Sequence, residues 1–201
     1  MSEPRKRKSA ADRRAEIVET AIRLSAELGP DRVTTQHLAD AVGVTQPAIF
    51  RHFATKGDIW LAVGDHIVSE MAGLHRDGTG NIEADPHGEL QRVVGHHFVH
   101  ISEKPAIPAI LYSRELQADN DALRAKFSDV LEKRCHTLAG IIRVGQNRGV
   151  HRADLVAEDA ARLISEAVQG LAMRWLLDGR TYDIAAAGPR VLAPLFNGFR
   201  A

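Results

Sequence analysis

Gln46 carries the chemistry around which this sequence can be organised. It follows Thr45 and precedes Pro47 and Ala48 in the stretch TTQHLADAVGVTQPAIFRHFATKGDI, residues 34–59. A glutamine amide can pair with an adenine edge through two hydrogen bonds, and proline or alanine offers apolar contact to a thymine methyl. That chemistry requires the four residues to be presented together at the start of a helix that enters a major groove. Other reactive side chains are sparse. His96 and His100 are four residues apart, a spacing that can hold a metal ion from one helix face, and Cys135-His136 could approach from another helix. No acidic residue or second cysteine completes that set, so metal sensing stands as the alternative reading. Cys135, the only cysteine, falls on an apolar helix face with no motif supplying a base and an orienting partner. An enzyme using it is the reading from a different class. Glycine-rich phosphate loops and paired-carboxylate motifs do not occur, so neither catalysis nor a cofactor is expected.

Charge adds a second feature. The 201 residues hold 26 Lys and Arg against 26 Asp and Glu, a balance that hides a local excess. Residues 1–14 contain Arg5, Lys6, Arg7, Lys8, Arg13 and Arg14 against only Glu3 and Asp12. Alone, such a run is a solvated tail; beside base-reading residues it follows a phosphate backbone or enters a minor groove. Residues 1–12 are read as a basic arm, disordered in the free protein. Its MSEPRKRKSAADRR lacks the apolar core of a signal peptide. No apolar run approaches the roughly 18 residues of a membrane span, and a single cysteine fits a reducing cytoplasm.

The elements that must position these residues are helices. Ile17, Ala21, Leu24 and Leu28 recur at helical spacing until Gly29-Pro30. Thr34 or Thr35 caps a second helix with Leu38, Ala39 and Val42 inward, and Gly43 makes the corner. Thr45 caps a third, in whose first turn Pro47 costs little because the lost amide has no intrahelical acceptor. Thr55 and Asp58 form a capping-box pattern for a fourth. Residues 76–88 break the chain. Beyond them Leu90, Val94, His97 and Ile101 mark one helix, PAIPAILYSREL a short broken one, and Leu131, Cys135, Leu138 and Ile142 a long one. Two more are read over 157–178 and roughly 188–199. No period of two is sustained, so the fold class is all-α, with about nine helices.

Two short helices around a tight glycine turn have helix-turn-helix geometry. Thr34-Thr35, Leu38-Ala39, Gly43-Val44, Phe50, His52-Phe53 and Lys56 together resemble the DNA-binding segment of the TetR (tetracycline-repressor) family of bacterial transcription regulators. The resemblance is strong over residues 13–73 and implies a helix-turn-helix domain there, with its motif at about 36–55. Residues 74–201 would form a larger effector-binding and dimerisation domain. It implies that Thr35 and Lys56 contact phosphate, that Gln36, Thr45, Gln46, Pro47 and Ala48 face bases, and that Arg51 and His52 lie near the DNA backbone. Phe50 stands where the family commonly has tyrosine, and without the hydroxyl a packing role is expected for it.

The same resemblance implies a homodimer on a palindromic operator, built through the last two helices. Ala160, Ile164, Ala167, Leu171 and Trp175 with Gly170 line one, and Leu192, Leu195, Phe196 and Phe199 the other. It further implies a small-molecule pocket in the middle helices. Phe98, Ile101, Leu111, Tyr112, Cys135, Leu138 and Trp175 are its candidate lining, apolar enough to favour a hydrophobic or aromatic effector. The whole then acts as a repressor that its effector releases from double-stranded DNA.

Overall fold

The computed structural model describes residues 8–77, 80, 82–118 and 120–201. Arg5, Lys6 and Arg7 of the basic arm lie outside the described residues. Among those described, the chain forms ten α-helices, with no strand: α1 (Ala10–Leu28), α2 (Thr35–Val42), α3 (Gln46–Phe50), α4 (Lys56–Asp77), α5 (Pro86–Glu103), α6 (Ala106–Leu111), α7 (Arg114–Ala118), α8 (Asp121–Asn147), α9 (Ala157–Leu177) and α10 (Ile184–Gly198). The broken helix expected after Pro105 is two short helices, because the chain leaves helical geometry at Tyr112 and Ser113 between them. Pro108 falls in the first turn of α6, where its missing amide leaves no intrahelical acceptor waiting.

Caps decide most of the boundaries. Ser9 and Asp12 close a capping box on α1, and Thr34 with His37 does so on α2. Thr55 and Asp58 exchange the same pair of bonds before α4, at 2.9 and 3.1 Å. The start of α10 differs from the expectation of about residue 188. Asp183 accepts from the amides of Ala185 and Ala186 at 2.9 and 3.2 Å, which starts the helix at Ile184 and leaves Pro189 and Pro194 inside it. A carboxylate on the first free amides outweighs the break signalled by Gly188-Pro189.

Packing divides the molecule into two apolar clusters, and the division does not follow residue 73. The first joins α1–α4 to α6, α7 and the first half of α8, with Ile17, Ile49, Val63, Ile67, Ile110 and Leu123 fully buried. The second joins α5, the second half of α8, α9 and α10 around Phe98, Ile142, Ile164 and Phe196. At 27 residues α8 is about 40 Å long and belongs to both. Two glycines permit close approaches between helices. A Cβ on Gly64 of α4 would lie 2.5 Å from Leu123 Cδ1, and one on Gly188 of α10 would lie 2.5 Å from the Phe98 ring. Both helix pairs are therefore packed backbone to side chain.

Under the second cluster lies a buried polar chain. His87 Nδ1 and His151 Nε2 are 3.3 Å apart, His151 Nδ1 is 3.2 Å from the Ile142 carbonyl, and Gln91 Nε2 is 3.3 Å from His87 Nε2. Burial, with Arg200 and His151 nearby, pushes the His87 pKa below its ordinary 6.5, and burial also depresses that of His100. Histidines held neutral in the fold bind protons better when unfolded, so stability rises with pH. The contribution is complete above about 6.5 and is lost as the pH falls below that value. Thermal unfolding followed between pH 7 and 5 should show a falling melting temperature, and His87→Gln should make the fall shallower.

Candidate nucleic-acid interface

The base-reading candidates are held by a few local bonds. Gly43 takes the left-handed conformation, φ 73° and ψ 42°, which turns the chain after a single helix end. Val44 N–H then donates to the Ala39 carbonyl at 3.0 Å, closing α2 against the entry to α3. Ala39 is fully buried at that contact, where a longer side chain has no room. Ile49 is fully buried on the inner side of α3, and its burial is worth about 2 kcal/mol. The outer side presents Thr45, Pro47 and Phe50 exposed, with Gln46 and Ala48 half-buried. Thr45 occupies the N-cap with extended backbone, yet its hydroxyl makes no cap bond, which leaves it free on the outer face.

Gln46 Nε2 donates to Thr35 Oγ1 at 2.6 Å. The bond fixes the amide across the two helices and uses one of its two N–H groups. The other N–H and the carbonyl oxygen stay available, which is what two-bond pairing with adenine requires. Thr35 itself is buried, so its backbone amide at the start of α2, not its hydroxyl, is the part that can face a phosphate. Gln36 is exposed and donates to Asp40 at 2.6 Å.

Phe50 differs from expectation. Its side chain is 42% exposed rather than packed, because the inward position of this one-and-a-half-turn helix is taken by Ile49. Phe53 takes the core position, with the Arg14 guanidinium 4.0 Å above its ring and also donating to the His52 carbonyl. Phe50 is thus an apolar ring on the same surface as Thr45 and Pro47.

Cations surround this surface. Arg51 and Lys56 are exposed and form no ion pair or side-chain hydrogen bond among the described residues. Lys56 begins α4, whose 22 residues aim a positive helix end outward. A groove of ≈ 240 Å³ runs between α1 and α3, lined by Lys8, Arg13, Val44, Ala48, Arg51 and His52. Lys8 and Arg13 were read only as part of a charge run; there both pair with Glu16 at 2.7 Å. The sequence signal was the clustering of basic residues around the start of α1.

A second site lies deeper. A cavity of only ≈ 20 Å³ sits among α4, α5, α6, α8 and α9. Ile101, Leu111 and Tyr112 line it, with Met71, His97, His100, Ile107, Pro108, Arg134, Val168, Gln169 and Ala172. Phe98, Cys135, Leu138 and Trp175 lie elsewhere. Phe98 packs on Gly188, Trp175 Nε1 donates to the Tyr182 carbonyl at 2.8 Å, Leu138 is in the second cluster, and Cys135 is half-exposed without a hydrogen bond. The sequence reading missed Arg134, a charge on the buried stripe of α8 between Val130 and Leu138, which was the available signal.

The dimer-face candidates also separate. Leu192 and Phe196 are 5% and 1% exposed within their own chain, as are Ala160 and Ile164 at 5% and 0%. Those residues close the second cluster and have no surface to give a partner, which corrects the expectation for Leu192 and Phe196. Gly170 is exposed, and Ala167, Leu171 and Leu195 are half-buried. They continue into Leu163 and Val191, 52% and 48% exposed, residues the sequence reading did not name. The two histidines proposed for a metal lie in opposite surroundings, His96 exposed and His100 buried. Among the described residues, no group of three or more His, Cys, Asp or Glu is placed to hold a metal ion, and no helix is long and apolar enough to cross a membrane.

Comparison with known proteins agrees with this geometry. Residues 17–63 match the family model described as bacterial regulatory proteins, tetR family, and residues 66–198 match that of the YsiA-like protein C-terminal region. The chain is 32% identical over 190 residues to the HTH-type transcriptional regulator TtgR of Pseudomonas putida, covering 90% of this chain and 88% of that one. Among solved structures, a TetR transcription regulator from Haloarcula marismortui superposes with a TM-score of 0.80 at 22% identity, covering 95% of this chain and all of that one. The FadR regulator of Bacillus subtilis, solved in complex with stearoyl-CoA, superposes with a TM-score of 0.73 at 22% identity, covering 92% of this chain and 99% of that one.

Lys56→Ala should weaken binding to every duplex and lower the slope of log affinity against log salt by about 1. Fluorescence anisotropy across a salt series measures it, and an unchanged slope removes Lys56 from the phosphate contacts.

Proposed function

Because this chain belongs to the tetR family of bacterial regulatory proteins, we propose that α3 reads base edges in the major groove of a two-fold symmetric operator. The observation that carries the reading is the outer face of α3, where Thr45, Gln46, Pro47 and Ala48 stand beside the unpaired cations Arg51 and Lys56. Gln46, held by Thr35, is the residue that discriminates adenine. Pro47 and Phe50 offer apolar surface to thymine methyls. Arg51, His52, Lys56 and the first amides of α2 bind phosphates and set the register. The groove flanked by Lys8 and Arg13 continues the phosphate track toward the basic arm. Such work takes place where the DNA is, in the bacterial cytoplasm, and asks for no catalytic residue.

One α3 spans only a few base pairs, so specificity requires a second copy. The apolar stripe Leu163, Ala167, Gly170 and Leu171 on α9, with Val191 and Leu195 on α10, supports a four-helix interface about a two-fold axis. No described residue covers it, and Leu163 and Val191 are large side chains to leave in water. The protein is a repressor, and its effector enters the cavity among α4, α5, α6, α8 and α9 to release it from DNA. Release follows from α4, which runs from Lys56 at the DNA face to Met71 at the cavity, about 22 Å along one helix. It also follows from α6, which forms one wall of the cavity and packs against α1. That the FadR neighbour was solved with stearoyl-CoA supports an effector with a long apolar part.

Selection of bound sequences from random duplex DNA should return a palindrome with half-sites one helical turn or a multiple of it apart, and loss of symmetry would sink the dimeric reading. With Gln46→Ala, preference should relax at one position in each half-site while the rest stays. Val191→Glu should shift the protein from dimer to monomer in light scattering and reduce operator affinity; a dimer that survives it moves the interface elsewhere.

A further inference from the structure

The cavity holds one buried cation, Arg134, among apolar and uncharged polar side chains. Arg134 is 6% exposed, and its two side-chain bonds go to neutral partners: Nη1 to His97 Nε2 at 2.7 Å and Nη2 to Ser165 Oγ at 2.6 Å. A guanidinium only donates, so His97 Nε2 must accept and the imidazole is neutral with its proton on Nδ1. Among the described residues no carboxylate forms an ion pair with Arg134. Glu166, whose charge is felt there, sits on the exposed side of α9. Burial disfavours the guanidinium's charge, and no described carboxylate pairs with it as a counter-ion.

Three further facts converge on the same space. Among the described residues, four buried side-chain polar atoms have no hydrogen-bond partner, and three of them belong to residues lining this cavity: Arg134 Nε, Tyr112 Oη and His100 Nε2. Burial pushes the Tyr112 phenol far up, so it remains a protonated donor, and it pushes His100 down, so that ring is neutral. Among the described residues no lysine lines the cavity, which leaves a single positive charge facing Met71, Ile101, Ile107, Leu111, Val168 and Ala172. One fixed charge balances a monoanion rather than a phosphate dianion, and a guanidinium edge matches a carboxylate in shape.

We propose that the effector is an organic monocarboxylate, its carboxylate bound by Arg134 Nε and Tyr112 Oη and its apolar body lying between α4, α6 and α9. This rests on the effector reading above and narrows it to a chemical class. At ≈ 20 Å³ the cavity has room for about one water, so the body of the acid enters by displacing α6, a six-residue helix, and the Met71 side chain. The carboxylate supplies the missing counter-ion, and acid and alcohol of the same skeleton therefore differ sharply in affinity.

Hexanoate, decanoate, palmitate and phenylacetate, each against its corresponding alcohol, are titrated into the full chain by calorimetry and thermal shift. At least one acid should bind about ten- to a hundredfold tighter than its alcohol, the range of a hydrogen bond to a charged group. Arg134→Met should abolish that preference while leaving the alcohol's affinity unchanged or higher, and Tyr112→Phe should reduce it in part. The acid–alcohol comparison in the unaltered chain stands even if Arg134→Met fails to fold. Equal affinity of acid and alcohol, no binding by any acid, or an acid preference that survives Arg134→Met would overturn the proposal. Operator release, measured in parallel, separates the two readings. Neutral compounds that release DNA through this cavity would leave the effector reading standing and remove the carboxylate. Acid binding that depends on Arg134 but leaves operator binding intact would do the reverse.

Discussion

A helix of five residues has no stability of its own, and the usefulness of α3 depends wholly on what holds it. Fully buried Ile49 fastens it from beneath, the left-handed turn at Gly43 sets its angle to α2, and the Gln46–Thr35 bond ties the two helices across the outer surface. Phe53, clamped under Arg14, closes the far end. Every one of these contacts leads into the cluster shared by α1, α4, α6 and α8. The orientation of Thr45, Gln46, Pro47 and Ala48 is therefore set by a core that extends well past the helix-turn-helix.

That shared core has a consequence for how the two ends of the molecule communicate. Ser113, between α6 and α7, donates to Asp31 in the turn after α1, and Asn120 at the head of α8 donates to the Gly57 carbonyl at 3.2 Å. Lys126 pairs with Asp65 at 2.6 Å, and Lys104 pairs with Glu70. These links cross from the long helices to α4 and the reading module on several sides. The surface pairs each contribute little, but the buried apolar contacts between α4 and α8 behave as one packed unit. The same packed unit joins α4, α6 and α8 to α1.

Arginine illustrates how position sets cost. Arg51 stands in water, where its charge is solvated and free to meet a phosphate. Arg134, the same side chain, is enclosed with neutral neighbours, where an uncompensated charge is expensive. The first arrangement is ordinary surface chemistry. The second persists only because the surrounding helices hold it there, and it places a buried positive charge against the cavity wall.

Much of this was legible in the chain. The all-α class, the corner at Gly43, the first-turn place of Pro47 and the Thr55–Asp58 cap follow from local rules, since helix ends and tight turns are decided by bonds a few residues long. Periodicity also marked α9 and α10 as apolar, but it could not say which of their stripes faces inward. Leu192 and Phe196 lie in the core and Leu163 and Val191 in water because α5 and α8 cover one side only. The exposure of Phe50 and the position of Asp183 ahead of Pro189 likewise depended on competition that local pattern does not rank. Cys135, Leu138 and Trp175 share hydrophobicity with the residues that line the cavity, yet only the crossing of five distant helices selects Ile101, Leu111, Tyr112 and Arg134. The sequence determined which helices exist and which residues could read DNA; burial, which depends on what a distant segment covers, was decided by the tertiary structure alone.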